Sequence, residues 1–269
     1  MNWTLEDIPW SSFESGKINR KLLAVIKTAS LVERNSADYA IYLCNVFAED
    51  DAFCEAARQW AEEEAQHGEA LGRWSEMADP SFDFASRFAR FVTGYRIPVT
   101  AEKSVRGSRC GELVARCVVE SGTSSFYTAL RDASDEPVLR RICQRIAADE
   151  FRHYKLFYDT LQGYRAAETS WRLGRLMTAI GRLHEVGDDE LSFAYHCANE
   201  EPDQPYSRAR AGEAYARVAS SVYRRWHITR AANMMLKASG ISPRGWLGWT
   251  VAQLVWLHVR RQQRRALAA

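Results

Sequence analysis

The sequence predicts an all-α fold: a four-helix bundle with a long crossover between its second and third helices, then additional C-terminal helices. Three observations lead there. Apolar residues recur at helical spacing over several long runs, and most of the 7 Pro and 15 Gly lie outside them. Within those runs one pattern occurs twice, a lone Glu followed about one helix and turn later by Glu-x-x-His. Between the two occurrences lies a connection, residues 79–108, that contains Gly94, Pro98 and Gly107. A connection of that length suits a bundle whose second and third helices run in the same direction.

In chain order, residues 1–16 read as an irregular arm with exposed aromatics at Trp3, Trp10 and Phe13. A first helix is expected from about Lys17 to Ala48, with Leu31, Val32, Ala37, Ala40, Ile41 and Leu43 as its apolar run. Asp50-Asp51 offers a start for the second helix, which continues to about Met77 and is ended by Asp79-Pro80. The crossover can hold a short helix at Phe82–Phe91. The third helix is expected from about Arg109 to Ala133. Ser134-Asp135-Glu136-Pro137 is a turn that caps the fourth and puts Pro early in the helix, where a missing N–H is harmless. That helix reads to about Gln162. Farther on, Thr169–His184 is helical, Gly187-Asp188-Asp189 breaks it, and residues 201–205 form a loop. Tyr206–Ala238 reads as one basic helix closed by Gly240 and Pro243, and Trp246–Arg265 is apolar at first, then basic. No linker or low-complexity tract intervenes. The 269 residues are expected to form one domain, with a bundle core at about 17–164 and a helical extension at about 165–269.

Hydrophobic residues at 46% and charged residues at 26% fit a globular protein, and a net charge of +2 gives no reason to expect a nucleic acid partner. The six Cys show no C-x-x-C pair, so neither a zinc ribbon nor a rubredoxin-type iron centre is encoded. The mixed, acidic opening Met1-Asn2-Trp3-Thr4-Leu5-Glu6-Asp7 is unlike a secretory signal. A reducing, cytoplasmic setting is expected.

The repeated pattern carries the chemistry. Glu64 and His67, like Glu150 and His153, are three residues apart. On a helix that separation is most of a turn, about 4.5 Å along the axis, so both side chains leave one face and can ligate one metal ion. A single such pair says little, because Glu and His are common on solvated helix faces. Here each pair follows a lone Glu in an apolar run, Glu33 lying 31 residues before Glu64 and Glu120 lying 30 before Glu150. A carboxylate buried alone costs several kcal/mol unless paired or metal-bound. Glu33, Glu64, His67, Glu120, Glu150 and His153 together form the inward-facing ligand set of a carboxylate-bridged dimetal bundle. Such a set suits two iron ions, with manganese as the alternative at either site, and leaves positions open for dioxygen.

Residues beside the ligands are candidates for supporting roles. Metal-bound His usually donates its second ring N–H to a carboxylate. Glu63 is paired in this reading with His153, and Asp149 with His67; for Glu63 the alternative is a solvated acidic face with Glu62 and Glu64. Thr123, three residues after Glu120, is the candidate catalytic hydroxyl facing the oxygen site, the alternative being a bond back to a carbonyl one turn earlier. His184, His196, His227 and His258 lack carboxylates at ligand spacing and read as structural.

These segments resemble the soluble acyl-acyl-carrier-protein desaturases of the ferritin-like di-iron superfamily. Arg58-Gln59-Trp60-Ala61-Glu62-Glu63-Glu64-Ala65-Gln66-His67-Gly68 is similar to that family's tryptophan-containing E-E-x-x-H-G segment. Cys143-Gln144-Arg145-Ile146-Ala147-Ala148-Asp149-Glu150-Phe151-Arg152-His153 is similar to its I-A-A-D-E-x-R-H segment, and Glu120-Ser121-Gly122-Thr123 to its E-x-x-T turn. The resemblance covers about residues 20–165 and continues faintly to Tyr215-Ala216-Arg217 and Arg225-Trp226. It implies a ferritin-like four-helix bundle and di-iron oxygen chemistry, and it does not supply the substrate.

The expected activity is that of an oxygen-dependent di-iron oxidase or oxygenase, of desaturase or hydroxylase type, acting on a small-molecule or carrier-bound acyl chain or another organic substrate. The chain has no flavin, nicotinamide or iron–sulfur fingerprint, so electrons are expected from an external donor such as ferredoxin. The alternative is iron handling, as a ferroxidase or peroxide scavenger; the residues beyond the bundle favour the enzyme. Residues 246–259, rich in Trp, Leu and Val, are too few to span a bilayer at about 20 residues. With Arg260, Arg261, Arg264 and Arg265 they form either a terminal helix packed on the bundle or in a homodimer contact, or a peripheral contact with an anionic membrane.

Overall fold

The computed structural model describes residues 3–167, 172–184 and 189–268, which are helical and contain no strand. Three single-turn 3-10 segments between Leu5 and Lys17 lead into α1 (Arg20–Arg34), α2 (Ser36–Val46), α3 (Asp51–Ala78) and α4 (Phe84–Gly94). Then come α5 (Arg109–Ala133), α6 (Pro137–Ala167), α7 (Arg172–His184) and α8 (Asp189–Asn199). The chain ends with α9 (Arg208–Ser221), α10 (Arg225–Ala238) and α11 (Trp246–Ala268). The starts are capped by side chains that satisfy otherwise orphaned N–H groups. Asp50 accepts from the Phe53 N–H, Asp83 from Ser86 and Ser108 from Gly111. Glu136 accepts from Leu139 at 2.7 Å.

Contacts along the long helices fix their directions. Lys27 meets Asp79 while Ser36 donates to the Ala61 carbonyl, so α1 and α2 run against α3. Asp50 meets Tyr164, Glu63 meets His153 and Trp74 meets Glu136, so α3 runs against α6. Ser124 meets Ala147 while Arg140 reaches the Arg131 carbonyl, so α5 also runs against α6. Helices α3 and α5 are therefore parallel, and residues 79–108 return the chain to the far end.

Two apolar cores divide this four-helix assembly along its length. One gathers Leu22, Ile26, Leu71, Trp74, Leu130 and Ile142; the other gathers Leu43, Phe53, Trp60, Leu113, Val114 and Phe157. On every helix Glu33, Glu64, His67, Glu120, Glu150 and His153 fall between the two. The C-terminal helices pack around this frame, α7 and α10 on α5, α8 and α9 on α1, and α11 on α9 and α10.

Several elements differ from the sequence reading. The expected first helix is two, because Asn35 leaves the helical ladder (φ −84°, ψ 26°). Gly68 of α3 approaches α1 so closely here that a Cβ on it would lie 2.5 Å from the Arg34 nitrogen. The apolar periodicity runs through this one-residue kink and so conceals it. The arm is not a set of exposed aromatics: Trp3 is 3% exposed, and Trp10 and Phe13 pack against the core. The expected helix Tyr206–Ala238 is broken at 222–224 into α9 and α10. Helix α8 was not anticipated. The crossover helix sits at Phe84–Gly94, and α6 continues to Ala167. Thr169 and Gly187-Asp188 lie outside the described residues.

Candidate metal centre

Helices α1, α3, α5 and α6 bring the six predicted ligands into one buried cluster. Glu33, Glu64, His67 and Glu150 form one group and Glu64, Glu120, Glu150 and His153 another, each with ligand atoms within 4.8 Å of one another. Both groups contain Glu64 and Glu150. His67 Nδ1 lies 3.4 Å from Glu64, 3.3 Å from Glu150 and 3.7 Å from Glu33. His153 Nδ1 lies 2.9 Å from Glu64 and 3.8 Å from Glu120.

The outward ring nitrogens are tied down. His67 Nε2 is 3.0 Å from Asp149 Oδ2, and His153 Nε2 is 3.0 Å from Glu63 Oε2. A carboxylate accepts from a ring N–H, so each Nε2 holds a proton, and a cation that displaced the proton on Nδ1 would meet that nitrogen's lone pair facing the cluster. Sequence reasoning did not single out the residue that joins these carboxylates. Arg152 donates from one guanidinium nitrogen to Asp149 at 2.5 Å and from another to Glu63 at 3.1 Å. Its place three residues after Asp149 on a helix was an available signal.

Two aromatics complete the setting. Tyr127, seven residues after Glu120 and so on the same face of α5, donates its hydroxyl to Glu33. Trp3 donates to Asp149 at 2.6 Å and lies nearly parallel to the His67 ring, with centroids 6.1 Å apart; its carbonyl accepts from Gln66. Nothing local marks Trp3, which is 146 residues from its partner. The Thr123 hydroxyl lies 3.2 Å from the Val119 carbonyl one turn earlier, the alternative reading, and also touches the Glu150 carboxylate.

The electrostatics are those of a crowded anionic site lined with protons. Burial, Glu64 and Glu150 push Glu33 well above the usual carboxylate range, and burial, Glu150 and Glu64 do the same to Glu120. Burial disfavours ionised Glu64 too, yet Glu33 and the two histidines hold it well below that range. Burial opposes protonation of His67, but Asp149 and Glu150 outweigh it and raise it well above its ordinary value. His153 is raised to about 9 against burial by Glu63 and Glu64. Cations replace such protons when they bind carboxylates and imidazoles.

The donor set fits a metal. His67 Nδ1, His153 Nδ1, both oxygens of Glu120 and Glu150 Oε1 are buried without a hydrogen-bond partner, and all belong to the cluster. Buried polar atoms are nearly always satisfied, so a group of orphans aimed at one point is what absent ligation leaves. The other histidines stand apart. His196 has Glu200 at helical spacing, 2.7 Å away, contrary to the sequence reading, but Arg90 occupies its other ring nitrogen. His227 contacts Asp132 and accepts from the Arg224 N–H, and His258 contacts Gln262. The His184 side chain lies outside the described residues. In comparisons with known proteins no family model and no curated protein matches this chain.

Proposed function

We propose that this chain is a ferritin-like di-iron protein that uses dioxygen to oxidise an acyl or other organic substrate, by desaturation or hydroxylation. The observation that carries the reading is the pair of ligand groups sharing Glu64 and Glu150, with His67 Nδ1, His153 Nδ1, both Glu120 oxygens and Glu150 Oε1 buried without a hydrogen-bond partner. Four carboxylates and two imidazoles are hard and intermediate donors, suited to iron or manganese rather than to a tetrahedral thiolate metal. Bound there, two redox-active ions would supply the reduction of dioxygen and the oxidising power to remove hydrogen from the substrate.

The chain's own residues do the rest. Glu63 and Asp149 hold both imidazoles in one tautomer, and Arg152 spans the two carboxylates so that they cannot turn independently. Tyr127 fixes Glu33, and Thr123 holds a proton against Glu150. The two flanking apolar cores exclude water, which strengthens every charge interaction in the layer between. Electrons would come from an external donor such as ferredoxin.

The test is metal analysis with oxygen kinetics. Protein grown in iron-rich medium should carry about two iron ions per chain. Once reduced, it should consume oxygen and retain its iron, with an apolar acyl substrate altering the rate. Sustained oxidation of many ferrous ions per chain, with growth of a ferric core, would assign it to iron handling instead. Absence of bound iron or manganese would remove both readings.

A further inference from the structure

All 34 acidic side chains lie in residues 1–213; residues 214–269 carry ten Lys and Arg and no Asp or Glu. This segregation is hidden by the nearly neutral total. It covers α10 and α11, which pack on each other at one side of the molecule.

The outward stripe of α11 reverses the usual pattern of a surface helix. Trp246 is 81% exposed, Trp249 65%, Leu254 61% and Leu257 49%, while Ala252 is turned inward. The same side continues into exposed Arg260, Arg261 and Arg264. The stripe is thus apolar over the first half of the helix and basic over the second. Beside it opens a groove of about 990 Å³, lined by Phe151 and Tyr154 of α6, Trp226 and Arg230 of α10, and Trp249. Arg225 bridges the two helices through Gln253 at 2.6 Å. Exposed aromatics contiguous with cations make a patch that a lone soluble chain gains nothing by leaving in water.

We propose that this face docks on the surface of an anionic lipid bilayer. Trp246, Trp249, Leu254 and Leu257 enter the boundary between headgroups and acyl chains, and Arg225, Arg230, Arg260, Arg261 and Arg264 meet lipid phosphates. Tryptophan favours that boundary, and basic side chains are attracted to the negative leaflet. Among the described residues no helix is long and apolar enough to cross the membrane, so the contact is peripheral. A second copy is the poorer occupant, because a two-fold contact sets the same patch against itself and would bring cations onto cations. An acidic soluble partner matches the charge, but the outermost groups here are Trp and Leu, where a protein interface has a polar rim. The docking goes beyond the proposed oxidation and needs no metal. It would turn toward the bilayer the side of α6 where Phe151 follows Glu150.

The experiment is cosedimentation of the metal-free and iron-loaded protein with vesicles of phosphatidylglycerol and phosphatidylcholine, or of phosphatidylcholine alone. Both protein forms should bind the mixed vesicles more tightly than the neutral ones, and less tightly as salt rises. The exposed triple variant Arg260→Gln/Arg261→Gln/Arg264→Gln should bind mixed vesicles about 100-fold more weakly, roughly fivefold per charge. Trp246→Ala/Trp249→Ala should weaken binding at every salt concentration. Circular dichroism and unchanged metal content would show both variants folded. Lack of vesicle binding at low salt, or binding that neither variant weakens, overturns the proposal. So does a dimer that Trp246→Ala/Trp249→Ala dissociates, or capture of a soluble acidic protein on this face without vesicle binding.

Discussion

Trp3 and His67 meet on the same oxygen: the indole N–H donates to Asp149 Oδ2 at 2.6 Å, and His67 Nε2 lies 3.0 Å from that atom. The third residue of the sequence thereby fixes the acceptor that fixes a candidate metal ligand. Trp3→Phe keeps the ring and removes the donor. Loss of a hydrogen bond to a charged group should cost about 1.5–3 kcal/mol, measured by denaturant unfolding of the metal-free protein. Unchanged stability would mean that the arm only covers the helices.

Asp149→Asn should leave helix content intact and weaken metal binding by about 10–100-fold, read by competition with a chelator. An amide offers a weaker acceptor to His67, and its N–H₂ group opposes the Trp3 donor. Glu63→Gln should act likewise through His153. Wild-type metal affinity in both variants would reduce these carboxylates to packing residues.

Gly68→Ala should destabilise by about 1–3 kcal/mol, because the added carbon meets the Arg34 backbone rather than a flexible side-chain tip. Arg34 follows Glu33, so the same shift should lower metal affinity. Gly163→Ala, on the exposed side of α6 with nothing within 4 Å of the new carbon, should instead stabilise by about 0.5–1 kcal/mol. Thermal melts of the two variants should move in opposite directions.

The 2.5 Å pair of Lys27 and Asp79 ties the middle of α1 to the C-terminal cap of α3. The Lys27 ammonium, helped by Ser81, lowers Asp79 from 3.8 to about 2. A depressed carboxyl stabilises the fold above its unfolded value and loses that contribution as pH falls through its folded value. The Lys27–Asp79 contribution, about 1 kcal/mol after solvent screening, should be complete above about pH 4 and gone below about pH 2. Asp79→Asn should flatten that part of the stability–pH curve and leave the rest unchanged.

Helix existence and the six clustered residues were legible because both are local facts. Glu-x-x-His shares a helix face by the geometry of one turn, and capping residues such as Asp50 and Ser108 act within three positions of themselves. The kink at Asn35 was not legible, since apolar spacing is preserved across a single displaced residue. The break between α9 and α10 was missed because no Pro or Gly marks residues 222–224. Burial of Trp3 depends on Asp149, and no periodicity connects residues 146 apart.

The sequence by itself determined that four helices carry Glu33, Glu64/His67, Glu120 and Glu150/His153, because helical spacing sets which side chains leave one face. Only the tertiary structure decided that Glu64 and Glu150 belong to both groups, that Arg152 joins the two outer carboxylates, and that Trp3 closes the layer. It also decided that Trp246, Trp249, Leu254 and Leu257 of α11 face outward, since which stripe of a helix is covered depends on the neighbours the fold provides.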